Sequence, residues 1–150
     1  MFLDGEDVSE AIRMPEISIC ASDVSSLPAV RSFLLEMQRK LAREHNVVMD
    51  GRDIGTVVLP DADLKIFLTA SAEQRAKRRM LELEAKGVDA SFDEVLKDIE
   101  YRDEQDTKRA AAPLRAAEDA VHVDTSSLNF EESAAVLAEL VIDRLSPKQE

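Results

Sequence analysis

Between residues 28 and 46 the chain reads "PAVRSFLLEMQRKLAREHN", with Val30, Phe33, Leu34, Met37 and Leu41 at helical spacing. Recurrence at i, i+3, i+4 and i+7 predicts a helix with these five side chains as its buried stripe, and Pro28 suits the first turn, where an N–H is unpartnered anyway. The preceding "PEISICASDVS" predicts a shorter helix or an irregular approach. The pattern then changes. "NVVMD" (46–50) and "LKIFLTA" (64–70) are nearly continuous apolar runs, as strands covered on both faces tend to be, and "AVHVDT" (120–125) is a third candidate strand.

Helix signals separate the last two runs. Ser71 and Gln74 form a capping box ahead of "AEQRAKRRMLELEAK", and Gly87 follows as a stop; Ser91 and Glu94 open a second helix that should fade before Pro113. A final helix is expected over "NFEESAAVLAELVIDRL", with Val136, Leu137, Leu140 and Val141 inward. Strands alternating with helices imply parallel pairing, and hence an α/β domain with helices packed on a sheet. At the start, Asp4-Gly5 between short apolar flanks is a hairpin signal with only three residues before it. An element whose other arm lies upstream is the expectation there.

Composition narrows the class. The 150 residues are 45% hydrophobic and 33% charged, which predicts one folded, helix-rich domain. A net charge of -12 opposes nonspecific binding to nucleic acid, which depends on many Lys and Arg contacts. No apolar stretch approaches the roughly 20 residues of a membrane span. "MFLDGEDVSE" lacks the features of a secretory signal, so a cytoplasmic location is expected. Cys20 is alone, and His45 and His122 fall in no metal-ligand spacing.

Candidate chemistry gathers in two places. "NVVMDGRDIGTVVLP" sets Asp50, Gly51, Arg52 and Asp53 at the exit of an apolar run, where open α/β sheets bind ligands. Alone, a solvated turn explains it. In the helix opening at Ser91, the phase of Phe92, Val95 and Ile99 continues through Arg102, Asp106 and Arg109. Either an i,i+4 pair of Arg102 with Asp106 or a polar cavity accounts for these charges. Arg75, Lys77, Arg78 and Arg79 crowd the helix before it; Arg78 and Glu82 are spaced as a surface pair, and a basic lid over polyphosphate is the sharper alternative. Clustered arginines suit phosphoryl transfer, but none of the four glycines, 5, 51, 55 and 87, begins a G-x-x-x-x-G-K-[ST] run.

"DGEDVSEAIR", "DGRDIGTVVLPDADLKIFLTAS", "RAKRRMLELEAKG" and "RDEQDTKRAAAPL" closely resemble the bacterial cytidylate kinases, P-loop nucleoside monophosphate kinases that phosphorylate CMP and dCMP with ATP. The resemblance runs the whole chain in order, and "DGRD-x-GTVV" with "RD-x-x-D-x-x-RAxAPL" is specific to that family. It implies a partial P-loop kinase fold without the first strand, P-loop and first helix. Residues 1–45 would be the remainder of the monophosphate-binding insertion and the following helix, and 46–150 the core, with a lid near 75–90.

By matching position, the resemblance implies that Ser22, Arg31 and Asp53 recognise cytosine, the aspartate accepting from its exocyclic amine and the arginine donating to its acceptor edge. Arg52 and Arg109 would contact the attacking monophosphate and serve catalysis. Arg102 and Asp106 would hold the sugar hydroxyls, and Arg75, Arg78 and Arg79 the lid over ATP. Arg13 belongs to the insertion, and Asp50 would meet Mg2+ through water. The complete enzyme would be a monomer without nucleic-acid or membrane partners. The chain alone is expected to be inactive, the rivals being a non-catalytic nucleotide-binding module, an incomplete fragment, or a helical protein whose charges are surface pairs.

Overall fold

In the computed structural model of the protein, which describes residues 1–13, 15–108 and 112–146, the chain divides into two compact units, 1–48 and 49–150. In the first, Asp4 and Gly5 turn the chain with φ of 51° and 87°. Positive φ at both central residues matches the right-handed strand twist, so strands β1 (Phe2–Leu3) and β2 (Glu6–Asp7) pair antiparallel, Phe2 opposite Asp7 and Leu3 opposite Glu6. The three residues before the turn thus suffice for a short hairpin, contrary to the expectation of half a hairpin.

A 3-10 turn at Ala11–Arg13 leads to helix α1 (Pro15–Ser26) and helix α2 (Pro28–Glu44). Pro28 stands in the first turn, and the amide of His45 closes the last turn on the carbonyl of Leu41. The predicted α2 stripe is open on most of its length: Phe33, Leu34, Met37 and Leu41 are exposed, and only Val30 is half-buried. The half-buried positions of α2 are Val30, Arg31, Leu35, Gln38, Arg39 and Ala42, so its covered side is rotated away from the predicted stripe; periodicity carries no information about what covers a face.

Residues 46–50 form no strand. Val48 is fully exposed, and no described segment pairs with this run. A strand gains its stability from cross-strand partners, so an apolar run without one stays extended and irregular. It enters a π-helical turn, Ile54–Val58, in which the amide of Leu59 reaches the carbonyl of Ile54 at 2.7 Å.

The second unit holds the parallel sheet. Strands β3 (Ile66–Thr69) and β4 (Val121–Asp124) pair in parallel, with Ile66 opposite Val121 and Thr69 opposite Asp124. The crossover carries helices α3 (Ala72–Ala85) and α4 (Phe92–Lys108). Leu68 and Val121 are exposed, so the strands are not covered on both faces as their runs suggested. Ser71 caps α3 by accepting the amide of Gln74, and Gly87, at φ 72°, ends it by donating to the carbonyl of Glu84. Ala76, Leu83 and Val95 are buried between α3 and α4, flanked by Met80, Phe92, Leu96 and Ile99. Helix α5 (Phe130–Leu145) opens with a full capping box between Asn129 and Glu132. Val136, Leu137 and Leu140 are half-buried, while Val141 is exposed, contrary to expectation.

Candidate functional site

Helix α4 builds the site in the second unit. Its apolar face ends at Ile99, and one turn further the same side carries Asp103 and then Asp106. At about 100° per residue, Arg102 and Asp103 lie about equally far, roughly 50°, on either side of the midline of Phe92, Val95 and Ile99, so phase alone does not choose between them. In the structure Asp103 is the half-buried one, while Arg102 is exposed and makes no ion pair among the described residues. The i,i+4 pair with Asp106 does not form.

Asp106 instead meets the loop at residues 50–53. Arg52 donates through Nε to Asp106 Oδ2 at 2.8 Å, across 54 positions of sequence. Asp106 is 13% exposed and Arg52 44%. The carbonyl of Asp106 is also taken, by the amide of Leu114 at 2.8 Å, so both ends of this residue are fixed. Among the described residues only Nε of Arg52 is engaged, which leaves its terminal nitrogens for an anion. Asp53 is half-buried beside it, and its carbonyl receives the amides of Thr56, Val57 and Val58 at 3.4, 2.9 and 3.2 Å. That convergence holds the loop in its π-helical turn, a local geometry frequent at functional sites. Gly51 makes a close approach here: a Cβ would lie 2.9 Å from Ile54 Cγ1.

The α3 arginines divide. Arg75 grips Asp103 with both terminal nitrogens, at 2.9 and 2.5 Å, and gives Nε to the carbonyl of Ala70 at 3.0 Å. Those carboxylate bonds outweigh burial and raise its already high pKa. Arg78 reaches past β4 to the carbonyls of Thr125 and Leu128, at 2.5 and 3.1 Å. Thr125, 3% exposed, in turn bonds the carbonyl of Thr69. Arg79 pairs with Glu82 at 3.1 Å on its own helix, so the surface pair uses Arg79 where Arg78 was expected.

Asp50 is exposed. Arg109 lies outside the described residues. Ser22 is on α1, its side chain outside what is described, and half-buried Arg31 is on α2, both in the first unit with exposed Arg13. Asp103 was missed by the sequence reading, although its i+4 spacing from Ile99 was the available signal.

An α/β unit with guanidinium–carboxylate pairs at a strand exit and along one helix face defines a chain suited to gripping anions. The comparisons agree and go further. Residues 1–143 match the family described as Cytidylate kinase. A cytidylate kinase of Caldicellulosiruptor bescii is 56% identical over 140 residues, 93% of this chain and 62% of that protein. Those of Carboxydothermus hydrogenoformans and Stutzerimonas stutzeri are 54% and 51% identical, over 94% and 96% of this chain and 64% and 63% of theirs. The chain belongs to the cytidylate kinase family, whose fold is the α/β P-loop kinase fold. It spans a little over three fifths of the length of the curated relatives it matches.

Proposed function

We propose that the protein transfers the γ-phosphoryl group of ATP to CMP or dCMP, giving CDP or dCDP and ADP. A phosphate oxygen of the acceptor attacks the γ-phosphorus, a new P–O bond forms, and the bond to the bridging oxygen breaks to release ADP. The observation that carries this reading is the Arg52–Asp106 pair, which joins the loop at residues 50–53 to α4 and leaves the terminal nitrogens of Arg52 for the acceptor phosphate. Charge accumulates on the equatorial oxygens in such a transfer, and fixed guanidiniums stabilise it.

By resemblance, Arg109 shares the phosphate with Arg52, Arg102 and Asp106 hold the sugar, and Ser22, Arg31 and Asp53 read the cytosine. Asp106 then serves twice, fixing Arg52 and accepting from a hydroxyl. Arg75, Arg78 and Arg79 are assigned to the ATP side. Among the described residues no group of three or more His, Cys, Asp or Glu side chains could hold a cation. Mg2+ keeps several waters and favours phosphate oxygens, so it belongs with ATP, touching the protein through water at Asp50. There it would neutralise charge on the phosphates.

In the full-length protein, ADP formation from ATP and CMP should fall by about 100-fold or more on Arg52→Ala, the size of losing one transition-state donor. An unchanged rate removes Arg52 from the chemistry. The 150 residues contain no G-x-x-x-x-G-K-[ST] run, so assayed alone they should show little turnover. Calorimetry on the same sample adds a second distinction: CMP binding without turnover marks a residual CMP pocket, and no binding an incomplete fragment.

A further inference from the structure

Asp103 has no role in the reading above, yet it is the partner that fixes Arg75. The contact is bidentate, both carboxylate oxygens against both terminal nitrogens, and Nε is tied to the carbonyl of Ala70, the residue directly after β3. A guanidinium held on three sides has lost its rotamer freedom before any ligand arrives. What remains is the outer N–H of each terminal nitrogen, at the carboxyl end of a parallel strand. Asp103 and Asp106 stand one helical turn apart on α4, and each takes an arginine from another element.

We propose that Asp103 is a positioning residue for phosphoryl transfer, holding Arg75 at the end of β3 with its outer N–H groups left for the phosphates of ATP. It acts only through Arg75. The inference rests on the kinase reading and on the assignment of Arg75 to the ATP side.

The test uses steady-state kinetics of the full-length protein. Asp103→Asn keeps the shape and removes the charge; kcat/KM for ATP should fall at least about tenfold, as for loss of a charged hydrogen-bond partner. The Kd for CMP should stay within about twofold, which a general packing defect would not spare. Arg75→Ala combined with Asp103→Asn should be no slower than Arg75→Ala alone, because the carboxylate has nothing left to position. Asp103→Glu, which keeps the charge on a longer arm, should recover part of the ATP-specific loss. Unchanged ATP kinetics in Asp103→Asn, or losses that multiply in the double variant, overturn the proposal. A parent protein that forms no ADP from ATP and CMP sinks the kinase reading instead, so the two failures are distinct.

Discussion

Asp106 holds Arg52 through Nε, and so orients it without occupying the nitrogens that would meet a phosphate. A half-exposed arginine can rehydrate when its partner goes, and for that reason Asp106→Asn should cost about 1 kcal/mol or less in folding. Its effect on CMP should be larger, about tenfold or more in Kd by calorimetry, because the fork loses its fixed direction. Acid exposes a different residue. Lys65, only 9% exposed, gives its ammonium to both oxygens of Asp119 and holds that carboxyl below its ordinary 3.8. A depressed folded-state value means that the stabilisation is complete above 3.8 and drains away as pH falls through the lower folded value. Thermal midpoints measured from pH 6 down to about 2 should therefore decline less steeply in Asp119→Asn than in the parent. At this scale the sequence told which side of α4 turns polar, but not which charge faces in: Arg102 and Asp103 are neighbours that flank the apolar face about equally, and only their partners separate them. The partner of Asp106 was out of reach of any local pattern, lying 54 positions away.

Helix ends were the most legible elements. The Ser71 cap, Gly87 in the left-handed region and the opening of α5 at Asn129 all depend on residues within one turn of each other. Asn129→Ala should cost about 1 kcal/mol in chemical denaturation, through loss of the capping box alone. Strands were less legible, since the segment at 46–50 has the composition of a strand but no partner beside it. Arg78 shows a second limit. Its place in a basic helix suggests a surface charge, whereas it ties α3 to the turn after β4 through two carbonyls. Replacing it by Ala leaves those carbonyls short of a charged donor, and unfolding midpoints should drop by the equivalent of about 1.5–3 kcal/mol. A drop near zero would mean that these two bonds do not hold α3 in place.

For the molecule as a whole, the α/β class, the parallel pairing and the family could be read before any coordinates, because alternating elements and two specific motifs carry them. The two compact units and the exposed face of α2 could not, since burial is a property of what lies alongside. One long-range feature sets how the second unit must assemble. Its two strands are separated by more than fifty residues, while α3 and α4 adjoin in the chain and bury Ala76, Leu83 and Val95 between them. Closing the larger loop carries the greater entropy, so the helical hairpin is the natural nucleus and the sheet zips afterwards. Trimming Val95 to Ala should consequently slow refolding in stopped-flow traces, whereas trimming Val123 should chiefly hasten unfolding.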